Sequence, residues 1–276
     1  MLYLHENELS KFLVCLDFSH GLVLDCSSHQ SVMDLLKCTN LHTLKCPIQS
    51  VDTSIILSLS KKKLMNLYLV NDDYTQNSGF YEKLFLDWQK IRKDLPESKK
   101  EIFNVHYIFK NRAMCHEDLH PNPFLKSLIF DNLSSNISAK LLHNIADLYG
   151  ATLQNLAFCS HYWEFLMHFS DLGKINESFK YLGKNCVQLK SFLSCLSLPS
   201  SALVTLVKTS RKMSTVQVFK ENISLAPSDK PEGVFKHKMA QELGIPHWDM
   251  IKKGANIFKI PNADCRLLFA NCFNEF

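Results

Sequence analysis

Glycine is scarce in this chain, with 8 among 276 residues. None of them builds G-x-x-x-x-G-K, G-x-G-x-x-G or G-x-S-x-G. The loops that cradle phosphate with backbone amides, and the elbow that presents a catalytic serine, are therefore missing. No C-x-x-C pair occurs among the 10 cysteines, which argues against a zinc ribbon or a dithiol redox motif. No apolar run approaches the roughly 18 residues that a membrane-spanning helix needs. Met1 to Leu9 carries His5, Glu6 and Glu8 where a cationic segment and an apolar stretch would open a secretory signal. A chain of 31 basic and 27 acidic residues, net +4, has no strong charge of one sign. Nucleic acid is thus not the expected partner, and neither is a membrane. The basic clusters, Lys61-Lys62-Lys63 and Lys90 to Lys100, read as solvated loops.

What is abundant is a repeated apolar triplet. A leucine-like residue is followed three positions later by another, and two positions after that by a third. The triplets are Leu13/Leu16/Phe18, Leu41/Leu44/Cys46, Leu64/Leu67/Leu69, Ile102/Val105/Tyr107, Leu125/Leu128/Phe130, Leu153/Leu156/Phe158, Leu189/Phe192/Ser194 and Met213/Val216/Val218. Only the seventh breaks the pattern, at Ser194. The last two members of each are two apart and so share one face of a strand. Helix-period stripes lie between them: Ile55, Ile56 and Leu59; Leu141, Leu142, Ile145 and Leu148, with Gly150 as the stop; and Leu203, Leu206 and Val207. A stripe at Val32, Leu35 and Leu36 has the same place before Leu41. A self-similar unit of this kind predicts an α/β solenoid of about eight repeats over residues 1–220, with parallel inner strands and outer helices.

Two intervals are longer than the rest. Residues 71–101 hold a longer helix (Phe80, Leu84, Phe85, Trp88, Ile91) and a charged loop. Residues 160–188 add a helix from Trp163 onward. After Phe219 the period is lost: a loop over 226–233, a short helix from Val234 to Leu243, and an apolar tail from Ile257 to Phe276. Residues 221–276 are expected to form a cap or a returning tail.

Cys38-Thr-Asn-Leu-His-Thr-Leu and Cys186-Val-Gln-Leu-Lys-Ser-Phe place a cysteine three residues before the first apolar position, and Gly150-Ala-Thr-Leu-Gln-Asn-Leu is a variant of the same segment. In these marks, over roughly residues 10–220, the chain resembles the long leucine-rich repeats of the ribonuclease-inhibitor and cysteine-containing type. They are similar to the repeat region of F-box proteins, where the repeats hold the substrate of a cullin-type ubiquitin ligase. The resemblance implies a horseshoe and a recognition role, with cullin-type ligase components as possible partners. An F-box of some forty residues normally precedes such repeats, and the first triplet begins at Leu13. The chain is then either the repeat half of a longer product or a binder that recruits no ligase. The cysteines read as reduced, buried hydrophobes of a cytoplasmic or nuclear protein. The sequons at Asn132, Asn136, Asn176 and Asn222 would matter only outside the cell.

One segment suggests chemistry. His116-Glu117-Asp118-Leu119-His120 matches H-E-x-x-H, which on a helix puts two zinc-binding imidazoles on one face with a glutamate as general base. A zinc metallohydrolase is the alternative function on that ground. Pro121 pushes His120 out of helical conformation, and no third ligand stands at a familiar spacing. No catalytic residue, metal or cofactor is assigned.

In the horseshoe reading, the residue between the last two apolar positions faces the concavity: Asp17, Lys45, Tyr68, His106, Ile129, Ala157, Leu193 and Gln217. The next outward row includes Pro47, Val70, Ile108, Asp131, Cys159, Cys195 and Phe219. Tyr68, Val70, Ile108 and Ile129 form an apolar centre flanked by Lys45, His106 and Asp131. That composition suits a protein-binding hot spot inside a polar rim. Cover by helices or by the C-terminal tail would remove this surface, as would a one-residue slip in register. The two long insertions are its rivals.

Overall fold

The structure, a computed structural model, describes residues 12–18, 37–72, 86–110, 119–131, 137–159 and 172–251. It is a mixed α/β chain with a mostly parallel eight-stranded sheet. The second member of all eight triplets lies on one of those strands. Two compact units divide the chain: Met1–Lys110 with Pro121–Lys126, and Asn111–His120 with Ser127–Phe276. The division falls inside the repeats, and residues 221–251 belong to the second unit.

In the first unit, β1 (Cys15–Asp17), β2 (Thr43–Pro47), β3 (Asn66–Asp72) and β4 (Asn104–Lys110) follow one another in sequence order. The register matches repeat to repeat: Leu16 faces Leu44, Leu44 faces Leu67, and Leu67 faces Val105. Between β2 and β3 runs α1 (Thr53–Lys61), which starts where the Asp52 carboxylate accepts the Ile55 N–H at 2.8 Å. Its stripe of Ile55, Ile56 and Leu59 is buried. The long interval before β4 contains α2 (Trp88–Asp94) and α3 (Glu97–Lys100). Pro96 separates the two and holds Leu95 extended at φ −80, ψ 133. Of the expected longer helix, the described part is α2, which carries Trp88 and Ile91 and starts where the Asp87 carboxylate accepts the Lys90 N–H at 2.8 Å; Phe80, Leu84 and Phe85 lie outside the described residues. Trp88 donates through Nε1 to the Tyr107 hydroxyl at 2.8 Å, and Asn122 Nδ2 donates to the same oxygen at 3.2 Å. Burial pushes the Tyr107 phenol up, against the pull of those two donors.

The second unit takes most of β5 (Leu125–Asp131), then α4 (Ala139–Tyr149), β6 (Asn155–Cys159), α5 (Ile175–Asn185), β7 (Ser191–Ser194), β8 (Leu198–Pro199), α6 (Ser200–Thr209), β9 (Thr215–Val218), β10 (Ile223–Ser224) and α7 (Glu232–Leu243). Leu128, Leu156, Phe192 and Val216 stand in register. Phe130 stacks on Phe158 at 5.1 Å between centroids, and Phe192 meets Phe158 and Phe179 edge-on. The seventh strand pairs on both sides despite Ser194. That residue is fully buried, and its hydroxyl accepts the Leu196 N–H at 2.9 Å, so the polar group costs little. Gly150 does end α4, but at φ −53 and ψ −32, not in the left-handed form expected of a glycine stop. Its value is close approach: a Cβ there would meet the carbonyl oxygens of Ala146 and Asn185, each at 2.5 Å.

Residues 221–251 fold back on the last repeat. Ile251 bridges Phe219 in parallel, with Ile251 N–H to Val218 O and Lys220 N–H to Ile251 O both at 2.9 Å. Trp248 donates to Val216 O at 2.9 Å and meets Phe235 edge-on. Gly244, at φ +67, ends α7 in the left-handed region that favours glycine. The segments with Val32, Leu35 and Leu36, with Trp163, and from Ile257 to Phe276 lie outside the described residues.

Candidate functional site

Parallel pairing lines up the residues between the inward positions. In the first unit it sets Asp17 beside Lys45, Lys45 beside Tyr68, and Tyr68 beside His106. Lys45 Nζ lies 3.1 Å from Asp17 Oδ2. The Tyr68 and His106 rings stack at 4.2 Å, tilted by only 12°. Burial, with the nearby Lys126 ammonium adding to it, pushes the His106 imidazole down to about 4. The imidazole is consequently neutral at neutral pH and a weak base. Val70 and Ile108 form the next row of the same face, side by side. In the second unit the matching rows are Ile129, Ala157, Leu193 and Gln217, then Asp131 and Cys159.

The structure brings the seven expected contact residues into these rows but does not leave them open. Lys45, Tyr68, Val70, His106, Ile108, Ile129 and Asp131 are all buried, none more than 9% exposed. An exposed concave hot spot at these positions is thereby corrected. The physical reason lies in the rows themselves. Val70 and Ile108 in the first unit, and Ile129 and Leu193 in the second, make these rows nearly as apolar as the inward ones, a composition typical of parallel strands buried on both faces. What the arrangement does chemically is hold its members in place. A buried ammonium is paired with a carboxylate, and a neutral ring is stacked on a phenol.

Sequence reasoning passed over a second row at the start of the strands. Asn104 Nδ2 donates to Asn66 Oδ1 at 3.2 Å, and Asn155 Nδ2 donates to Ser127 Oγ at 3.0 Å. The signal was present as a polar residue directly before the second apolar position: Thr43, Asn66, Asn104, Ser127, Asn155, Ser191 and Thr215.

Of the zinc-type segment, His116, Glu117 and Asp118 lie outside the described residues. His120 is exposed and not helical, and its backbone carbonyl accepts the Tyr149 hydroxyl at 2.8 Å. The helical spacing that would aim two imidazoles at one ion does not extend to it. Among the described residues no three histidine, cysteine or acidic side chains group as metal ligands. Among the sequons, Asn132 and Asn136 are outside the described residues. Asn222 is buried, and the nitrogen a glycan would use donates to Cys195 O at 2.6 Å.

A buried polar cluster lies in the second unit. Asp229 is buried, accepts the Ser200 hydroxyl, and lies 3.0 Å from Lys238 Nζ. Burial pulls its carboxyl up, yet Ser200 and Lys238 outweigh that and hold it below the usual carboxylate range. Ser200 also accepts the Ala226 N–H at 3.0 Å and is itself buried. The cluster ties α7 to α6; with no exposed hydroxyl it presents no nucleophile.

No protein-family model matches this chain, and no curated protein matches its sequence. No helix among the described residues is long and apolar enough to cross a membrane.

Proposed function

We propose that this chain is a non-enzymatic protein-interaction module built as a leucine-rich repeat solenoid. The observation that supports this reading is the repeat-to-repeat register, in which equivalent residues of successive units stand side by side along each run of strands. An array of that kind presents equivalent side chains and turns in rows, which suits recognition of an extended partner. Burial of the strand rows moves the contact surface to exposed turns and helices. The resemblance to F-box repeats extends the proposal to a substrate-receptor role in a cullin-type ubiquitin ligase, in the cytoplasm or nucleus.

Affinity capture of the chain from its own cells, followed by mass spectrometry, tests both levels. A specific protein together with a cullin adaptor is the result expected of a receptor. A specific protein without an adaptor keeps the interaction module and removes the ligase role. A chain that repeatedly captures nothing specific sinks the proposal. Metal analysis of the purified protein addresses the metallohydrolase alternative, which requires stoichiometric zinc that is lost in His116→Ala.

A further inference from the structure

The turns that precede β2, β3 and β4 are adjacent in the first unit. Lys63 Nζ donates to Asn40 Oδ1 at 2.7 Å, and Lys99 Nζ donates to the Lys62 carbonyl at 2.7 Å. The backbone binds the same turns together: Met65 N–H reaches His42 O at 2.9 Å, and Asn104 N–H reaches Met65 O at 2.7 Å. Folding thus gathers Lys61, Lys62, Lys63, Lys99 and Lys100 on one edge, with Glu97 and Glu101 among them. Lys61 and Lys63 are exposed, and Glu97 is engaged by Lys100 at 2.6 Å. Lysines in a last helical turn compensate the helix dipole, which accounts for Lys61, Lys99 and Lys100 singly. The same attraction draws the Lys99 ammonium to the Lys62 carbonyl at the C-terminal end of α1, which adds its charge to the turn that carries Lys61 to Lys63.

A second observation falls on the same edge. Ile102 holds the first position of its triplet, where Leu41, Leu64, Leu125, Leu153 and Leu189 are at most 1% exposed; Ile102 is 42% exposed. Phe103 is buried in its stead. The isoleucine is fixed beside the lysines by Ile102 N–H to Lys99 O at 3.2 Å, and its own carbonyl accepts Asn104 Nδ2 at 3.1 Å.

We propose that this edge of the first unit docks an extended acidic peptide segment of a partner protein, with lysines pairing to its carboxylates and an apolar side chain resting on Ile102. The inference rests on the reading of the chain as an interaction protein and names the chemistry of the partner. Strands about 4.8 Å apart make three successive turns about 10 Å wide, the length of roughly three or four extended residues. The turns are already hydrogen-bonded, so little ordering is needed on binding. Glu97 and Glu101 within the edge repel an unbroken phosphate backbone or an anionic lipid sheet, but leave room for a peptide whose charges are interspersed with apolar residues.

The test uses the full chain and a fluorescein-labelled acidic peptide in which pairs of glutamates alternate with leucine, read by anisotropy. Binding is expected at about 50 mM salt and is expected to weaken strongly by about 300 mM, as the screening length shrinks. Lys61→Glu/Lys63→Glu is expected to weaken it at least about tenfold, and Ile102→Asp to weaken it severalfold, with thermal unfolding close to that of the parent chain. Lys140→Glu/Lys180→Glu, the same change of charge in the second unit, leaves it unaltered. Equal affinity of the Lys61/Lys63 variant overturns the proposal, as does tighter binding to a single-stranded oligonucleotide or to phosphatidylserine vesicles than to the peptide. A cellular partner retained equally by that variant overturns the edge while the interaction reading stands. Capture of no partner by either chain, together with no peptide binding, overturns both.

Discussion

His106 lies flat against Tyr68, and burial keeps its imidazole from taking a proton. The unfolded chain accepts that proton near the ordinary value of 6.5, whereas the folded chain resists it down to about 4. The His106 contribution to stability is therefore level above about pH 6.5 and falls as the pH drops from there toward 4, by at most about 3 kcal/mol. Denaturant titrations across that window should show the decline, and His106→Phe, which keeps a ring against Tyr68, should flatten it. Gly150 carries a different constraint. Both atoms that block a Cβ there are backbone oxygens, so neither can rotate away. Gly150→Ala is expected to cost about 2 kcal/mol by urea unfolding. Gly183→Ala, where the nearest obstacle is the Thr209 side-chain hydroxyl and the nearest backbone oxygen is at 2.9 Å, should cost less. Thiol chemistry should divide the cysteines in the same residue-by-residue way. Cys15 is exposed, whereas Cys186 is buried and pushed up to about 12 by burial and by Asp147. Native-state alkylation followed by peptide mass spectrometry should label Cys15 and spare Cys186.

At the scale of elements, the strands and helices were legible because each announces itself locally. Two apolar residues two apart mark the strand, and a helix-period stripe such as Ile55, Ile56 and Leu59 marks the helix. Ser194 was readable only as a flaw in the seventh strand, since the partner that satisfies it, Leu196 N–H, depends on a backbone turn that no spacing records. The candidate site was half legible. Alternation placed Lys45, Tyr68 and His106 in one row, and the register sets them there. Whether the row faces water depends on what packs over it, which alternation does not encode; the apolar character of Val70, Ile108 and Ile129 was the available warning. The edge of lysines was passed over as loop because Lys61 to Lys63 and Lys99 are 36 or more residues apart in sequence and meet only through the pairing of β2, β3 and β4. The last repeat offers a test of its cover. Trp248 is buried against Phe235 and bonded to Val216 O, so Trp248→Ala is expected to cost about 3 kcal/mol by urea unfolding.

At the scale of the whole molecule, the proposed solenoid makes neighbouring repeats the unit of stability. Phe158 is the centre of the ring stack in the second unit, between Phe130 and Phe192. Phe158→Ala should open β6 and β7 to hydrogen exchange far more than β2 and β3, and mass-spectrometric exchange can read the two units separately; equal loss of protection in both would refute nearest-neighbour stability. The sequence-ordered pairing has one more consequence. Leu44 waits 23 residues for Leu67, and Phe192 waits 24 for Val216. No strand in either run depends on a partner from the far end of the chain. As the polypeptide leaves the ribosome, each repeat can dock on the one made just before it, so the apolar face open at any moment of synthesis is about one repeat wide.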